Sequence, residues 1–308
     1  MPRILPRGEI EGLDHTSIPR LRLPQRTTLF SERGQRLRAL APEHPAAAYL
    51  LLMAELSDAQ HQALQNLAPA HIEAQHISHA LEHGMPPLLS SGWQRDPSWQ
   101  TVLQTLLQTL DRSEQVPDAA KNIAQELLHL QTHAPADIET LADAILTNQL
   151  APGDSGKAAF VMAALQVYWT NLACSLSESQ LPLNAPFGVC PCCGSLPVAS
   201  IVRVGGSADG CRYLCCPRCS VEWHVVRVTC THCESTEGIY YHSIEDGPAA
   251  IKAESCDSCQ SYRKIFYQKD QLYVDPVADD LASLALDMLM GEAGYERSSG
   301  NPLLWHEP

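Results

Sequence analysis

What this 308-residue sequence lacks narrows its possible functions. Positive charge is scarce: 21 Lys and Arg face 35 Asp and Glu, a formal charge of −14. So acidic a chain is a poor general partner for nucleic acid or an anionic membrane. Long apolar runs are missing as well. The most apolar of the long uncharged stretches, Ala158–Ser177, is about one membrane span in length. It carries Gln166, Thr170, Asn171, Ser175 and Ser177, so it reads as a buried core helix and no stable membrane insertion is expected. There is no Gly-rich phosphate loop, no His-Glu-x-x-His and no Gly-x-Ser-x-Gly, and nothing orders the Ser and His residues into a triad. The sequence offers no enzyme. Met1–Ile10 has two prolines and charges where an export leader would be apolar, and no twin-arginine pair. The expected compartment is the reducing cytosol, where paired cysteines hold metals more readily than they form disulfides.

Apolar residues make up 45% of the chain and charged residues 18%, a globular composition. Helical periods and start signals mark seven segments: Thr28–Leu40, His44–Leu67, Pro69–His83, Ser98–Leu110, Pro117–Gln131, Pro135–Leu150 and Lys157–Ser177. Met85–Pro97 reads as a loop. After a linker over Leu181–Gly188, the pattern changes to short β-type runs at Pro197–Val204, Gly210–Leu214, Val221–Val228, Gly238–Ile244, Ala249–Ala253 and Tyr262–Tyr267. Asp275-Pro276 opens a last helix with Val277, Leu281, Leu284 and Met288 on one face, ended by Gly291. The expected class is α+β. An all-α domain over 1–184 leads into two small zinc-ribbon-like β modules, 185–229 and 230–274, and a C-terminal helix and tail over 275–308.

Of twelve cysteines, eleven lie between Cys190 and Cys259. Eight form Cys-x-x-Cys pairs: Cys190/Cys193, Cys216/Cys219, Cys230/Cys233 and Cys256/Cys259. Adding 40 to each position of the first four gives the second four, so a knuckle–hairpin–knuckle unit is duplicated. Two thiolates on one tight turn can face one ion, and a second turn brought back by a hairpin completes a tetrahedron. Such S₄ sites suit zinc or a single iron, as in rubredoxin. Gly194 lets the backbone turn toward the sulfur. Each unit is too small for a proper core, so its ion should supply much of its folding energy. Disulfide or thioredoxin-like use of the pairs is the weaker alternative. Cys192, Cys211 and Cys215 map to His232, Ile251 and Ser255 and fall outside the ligand sets, although Cys192 and Cys215 adjoin ligands. Cys174 reads as a core residue.

Two further readings are weaker. Gly188–Asp275 holds eight basic and ten acidic residues, a net charge of −2. Tyr213, Trp223, Tyr240, Tyr241, Phe266 and Tyr267 therefore lack the basic stripe that base stacking would need. Glu73-x-x-His76 and Glu126-x-x-His129, with Glu55 and Glu139, resemble part of a di-iron bundle. His76, His79 and His83, however, cluster away from Ile77 and Leu81 and so face solvent, whereas bundle ligands project inward.

Longer motifs carry a resemblance. Cys190-Pro-Cys-Cys193-Gly-Ser-Leu-Pro-Val-Ala-Ser, Arg212-Tyr213-Leu214 and Cys219-Ser-Val-Glu222-Trp223-His224-Val-Val-Arg227 closely resemble the formate dehydrogenase accessory proteins, the FdhE family. So do Ile251-Lys-Ala-Glu-Ser-Cys256-Asp-Ser-Cys259, Ala278-Asp-Asp-Leu-Ala-Ser-Leu-Ala-Leu-Asp287 and Gly294-Tyr295-Glu-Arg297-Ser-Ser-Gly-Asn301-Pro302. Arg36-Leu-Arg-Ala-Leu40 and the His44–Gln60 helix extend the likeness over nearly the whole chain. The resemblance implies a cytoplasmic maturation factor with two rubredoxin-like iron sites, whose partner is the catalytic subunit of a respiratory formate dehydrogenase. The four Cys-x-x-Cys pairs match, and Cys192 is an extra cysteine inside the first knuckle. Glu222, Trp223 and His224 are candidates for partner docking, although Trp223 could equally be core. A rubredoxin-type electron carrier and a zinc-ribbon nucleic-acid module are the rival readings.

Overall fold

The computed structural model describes residues 18–305 except 91 and 184; the expectation for Met1–Ile10 lies outside the described residues. Seven helices come first: α1 (Leu29–Leu40), α2 (Ala47–Asn66), α3 (Ala74–Glu82), α4 (Ser98–Arg112), α5 (Asp118–His133), α6 (Pro135–Thr147) and α7 (Ser155–Cys174). They pack around α7, whose residues Ala158–Ala173 are all buried. Helices α2, α4, α5 and α6 all pack against it. Its buried amides find partners, as burial requires, while the Thr170 hydroxyl has none. Gln60 donates to the Gln166 side chain at 2.9 Å, Gln166 donates to the Pro217 carbonyl at 2.7 Å, and Asn171 donates to the Ala68 carbonyl at 2.9 Å. No helix among the described residues is long and apolar enough to cross a membrane.

The helix expected from Pro69 starts only at Ala74. Leu67 is extended (φ −77°, ψ 134°) and ends α2, and residues 68–73 stay outside any helix.

The β part is one eight-stranded sheet: β1 (Leu21–Arg22), β2 (Ala199–Val202), β3 (Arg212–Cys215), β4 (Glu222–Val225), β5 (Ile239–His242), β6 (Ile251–Cys256), β7 (Ser261–Tyr267) and β8 (Glu296–Arg297). The order is β1-β4-β3-β2-β7-β6-β5, with β8 beside β7. Within each copy of the repeat the strands run as an antiparallel meander, β2-β3-β4 and β5-β6-β7. The shift of 40 carries β2 onto β5, β3 into β6 and β4 into β7. The copies join by a parallel pairing of β2 with β7, Ile201 opposite Phe266. The joint is thus head to tail: the first strand of one copy meets the last strand of the other. On the far side of the first copy, Leu21 pairs with Trp223 and β1 covers the edge of β4. The short strands β1 and β8 have no periodic signal in the sequence, because two residues cannot show one.

The C-terminal helix is broken. Its first turn, α8 (Ala278–Leu281), stops at Ser283 (φ −123°, ψ 33°), and α9 (Leu284–Glu292) starts afresh. The Ser283 hydroxyl donates back to the Asp279 carbonyl at 2.7 Å, which competes with the helix ladder. The break resets the phase. Leu286 and Met290 are buried after it, while Met288 is 69% exposed and does not continue the face begun by Val277 and Leu281. The helix runs past Gly291 to Glu292, and Gly294 (φ 86°) follows its end. Arg33 and Arg36 of α1 tie this segment down through Asp275 (3.2 Å) and Asp279 (2.5 Å).

Candidate metal centres

All four Cys-x-x-Cys turns share one geometry. The residue after each second cysteine takes left-handed angles: Gly194 (φ 74°), Ser220 (φ 59°), Glu234 (φ 64°) and Gln260 (φ 53°). This turn aims backbone N–H groups at sulfur. Arg218 and Cys219 N–H each lie 3.4 Å from Cys216 Sγ, and His232 and Cys233 N–H lie 3.4 and 3.5 Å from Cys230 Sγ. Donors so placed stabilise thiolate over thiol. Hydroxyls add to this: Ser195 Oγ is 3.2 Å from Cys193 Sγ, and Ser261 Oγ is 3.0 Å from Cys259 Sγ. Cysteine spacing alone does not single out these serines, though Ser195, Ser235 and Ser261 each stand two places after a knuckle cysteine.

The turns bring the eight sulfurs into two groups, Cys190/Cys193/Cys216/Cys219 and Cys230/Cys233/Cys256/Cys259. Within each group all four Sγ atoms lie within 4.8 Å of one another. Cys190–Cys219 and Cys193–Cys216 are separated by 3.5 and 3.4 Å, and Cys230–Cys259 and Cys233–Cys256 by 3.7 Å each. A tetrahedron of metal–sulfur bonds of about 2.3 Å has an edge of about 3.8 Å, so the quartets have the size of an S₄ site. A disulfide would need about 2.05 Å, and every cysteine is free. The disulfide alternative falls.

Burial pushes the Cys190 and Cys219 thiols well up. At Cys193 burial acts the same way, but hydrogen bonds from Cys190, Cys216 and Cys219 outweigh it and hold that thiol well below its usual value. In the second quartet burial pushes Cys230 up to about 12, whereas at Cys259 burial is outweighed by the Ser261 hydroxyl and the thiol sits at about 7. Each quartet thus has a sulfur already disposed to ionise. Four soft donors without carboxylate or imidazole suit zinc or iron.

The remaining cysteines stay out of both groups. Cys192 and Cys215 are buried beside ligands, and Cys211 is half-buried. Cys174 is not a core residue as expected: it is half-buried at the end of α7, its thiol 3.5 Å from the Pro24 carbonyl. Among the described residues, no other cluster of His, Cys, Asp and Glu has metal-site dimensions. Glu55 and Glu139 are engaged with Arg38 (2.8 Å) and Arg95 (2.6 Å), and His76, His79, His83 and His129 are exposed.

Of the three docking candidates, Trp223 is 7% exposed inside the sheet and Glu222 is buried in ion pairs with Arg203 and Arg22. Only His224 reaches the surface, half-buried, where desolvation lowers its pKa. Tyr213 and Phe266 are fully buried and so offer no stacking face; Tyr240 and Tyr241 are exposed.

A helical domain joined to a tandem pair of Cys₄ hairpin units in one sheet defines the class. The chain belongs to the FdhE family: family models for the FdhE N-terminal, central and C-terminal domains match residues 18–185, 189–227 and 228–304. It is 42% identical to a protein FdhE homolog of Edwardsiella ictaluri, over 98% of both chains. It is 37% identical to protein FdhE of Escherichia coli, over 98% of this chain and 97% of that one. The crystal structure of the FdhE protein from Pseudomonas aeruginosa superposes with a TM-score of 0.83 at 37% identity, covering 93% of this chain and 99% of that one.

Proposed function

We infer that the chain is a non-enzymatic accessory factor in the cytoplasm that binds the catalytic subunit of a respiratory formate dehydrogenase during its maturation. Family membership over nearly the whole chain carries this reading, and the two quartets give it chemical content. Iron is the favoured ion, held in rubredoxin-like sites by Cys190, Cys193, Cys216 and Cys219 and by Cys230, Cys233, Cys256 and Cys259. Such ions would fix the hairpins and offer a one-electron centre. Glu222 and Trp223 brace β4 from within, and His224 is the member of that trio left to meet a partner. The division into a helical domain (1–184), two modules (185–229 and 230–274) and a C-terminal segment (275–308) belongs to the same proposal.

The test is capture of the tagged chain from cells respiring on formate. Recovery of the dehydrogenase catalytic subunit is expected; repeated recovery without it ends this reading. A second reading, a rubredoxin-type electron carrier, draws on the exposure of Cys233. Elemental analysis and the visible spectrum of anaerobically purified protein decide the ion. Two irons per chain, reducible and reoxidisable by a reductase with turnover, would favour the carrier.

A further inference from the structure

The two quartets descend from one repeat, yet they sit in opposite surroundings. Cys190, Cys193 and Cys219 are 0% exposed and Cys216 is 3% exposed. In the second quartet Cys230 and Cys256 are buried as well, but Cys233 is exposed and Cys259 is half-buried. The reason is visible residue by residue. In the first unit the knuckles are pressed into the helical domain. Leu88 N–H donates to the Cys192 carbonyl at 2.9 Å, and Ser90 N–H to the Cys193 carbonyl at 3.4 Å. The Trp169 indole donates to the Leu88 carbonyl at 3.2 Å, and the Arg218 guanidinium lies 5.6 Å from the Trp169 ring centre. Gln166 of α7 grips the Pro217 carbonyl.

Adding 40 shows what became of these grips in the second copy. Cys192, Gly194, Pro217 and Arg218 correspond to His232, Glu234, Asp257 and Ser258, and all four of those are exposed. A small polar side chain stands where the first unit has its long cation, and a carboxylate where it has a bare glycine. Among the described residues no hydrogen bond ties this knuckle pair to the N-terminal helices; its ties come from the sheet and the C-terminal segment, where the Tyr295 hydroxyl donates to Asp257 at 2.7 Å, the Glu296 N–H to the Gln260 carbonyl at 2.8 Å and Arg263 to the Thr231 hydroxyl at 3.0 Å.

We propose that the two sites have divided the work: Cys190/Cys193/Cys216/Cys219 is a sealed structural site, and Cys230/Cys233/Cys256/Cys259 is an exchange site. Its ion is open through Cys233 to soft sulfur or nitrogen donors from outside. This deepens the reading of both quartets as metal centres and rests on it. An incoming donor that can reach the ion speeds the loss of a thiolate, and the exposed Cys233 gives it a path that the buried first quartet does not. The sealed ion departs only when the knuckles lift off α7 and the Pro86–Ser90 loop, which is a sub-global opening.

The full chain, loaded with zinc to two ions, is mixed with excess 4-(2-pyridylazo)resorcinol, and the absorbance of the released complex is followed. After the early release the protein is pulsed with N-ethylmaleimide and mapped by mass spectrometry. The expected result is two phases of one zinc each, differing in rate by at least tenfold, with early label on Cys230, Cys233, Cys256 and Cys259 and none on the first quartet. Cys233→Ser should abolish the fast phase and keep one slowly released zinc. A single phase for both ions, or early label on Cys190, Cys193, Cys216 or Cys219, overturns the division of work. A chain that never holds two zinc ions fails at the earlier step and sinks the metal reading itself.

Discussion

Gly194 occupies the most demanding of the four left-handed positions. A Cβ built there would meet Leu89 Cδ1 at 2.6 Å, and the backbone angle already disfavours any side chain. Its counterpart Glu234 has the same kind of angle but is exposed, so the same backbone turn tolerates a side chain when nothing leans on it. Gly194→Ala is expected to destabilise the chain by about 1–3 kcal/mol. Glu234→Ala should stay within about 0.5 kcal/mol, as surface changes usually do. Thermal melting of the two variants side by side checks the contrast, and equal losses would contradict it. At this scale the ligands were legible because eight cysteines repeated at fixed offsets match the spacing of a tetrahedral sulfur site twice over. The burial of Trp223 was one of its two readings, but that of Glu222 was not legible. Their neighbours Arg203, Arg22 and Leu21 come from distant parts of the chain, and no local pattern announces them.

At the scale of elements, α8 is held by charges inside the protein. Lys264 of β7 is fully buried, 3.3 Å from Asp280 and 2.6 Å from Asp287, and Arg297 of β8 reaches Asp280 at 2.6 Å. Asn301 adds a hydrogen bond to Asp280 at 2.7 Å. Burial alone would raise the Asp280 pKa, but Lys264 and then Arg297 outweigh it and hold the carboxyl below its ordinary range. A carboxylate depressed in the folded state stabilises above its unfolded value, about 3.9. That stability is lost as pH falls through the lower native value. Asp279 works the other way: burial raises it despite Arg36. Asp280→Asn should cost about 3–5 kcal/mol at neutral pH, since it leaves Lys264 and Arg297 short of a partner. The deficit should shrink as pH falls below about 4, where the unfolded carboxylate takes up its proton before the native one does. Urea midpoints at pH 7 and pH 3 measure this, and a deficit that does not change with pH would refute it. The helices of the first half were readable from a helical apolar period, as in α4, from a proline-led start, as in α6, or from unbroken apolar length, as in α7. The break at Ser283 was not, because a hydroxyl bonding to its own ladder leaves that composition unchanged.

For the whole molecule, the duplication told which knuckles resemble which, but neither the two added strands β1 and β8 nor how the copies meet. The pairing of Ile201 with Phe266 depends on strands 65 residues apart, beyond the reach of local periodicity. Once formed, that joint is reinforced across the copies by Arg212, which donates to Glu254 at 2.7 Å with both side chains buried. The motifs that carried the family resemblance also converge in space. Arg36 meets Asp279, and Arg297 and Asn301 meet Asp280, so three separate stretches of sequence form one anchorage.

A joint made by unlike edges does not close on itself. Were β4 bare, it would present to a neighbouring molecule the counterpart of the β7 edge, while β5 presents the counterpart of β2. Molecules could then stack end upon end without limit. Among the described residues Arg20, Leu21 and Arg22 stand in the way: lying along β4, they act as a stopper. A chain shortened to begin at Leu23 should therefore sediment as species that lengthen with concentration, whereas the full chain keeps one size. If the shortened chain sediments as the full chain does at every concentration, the stopper has no such duty.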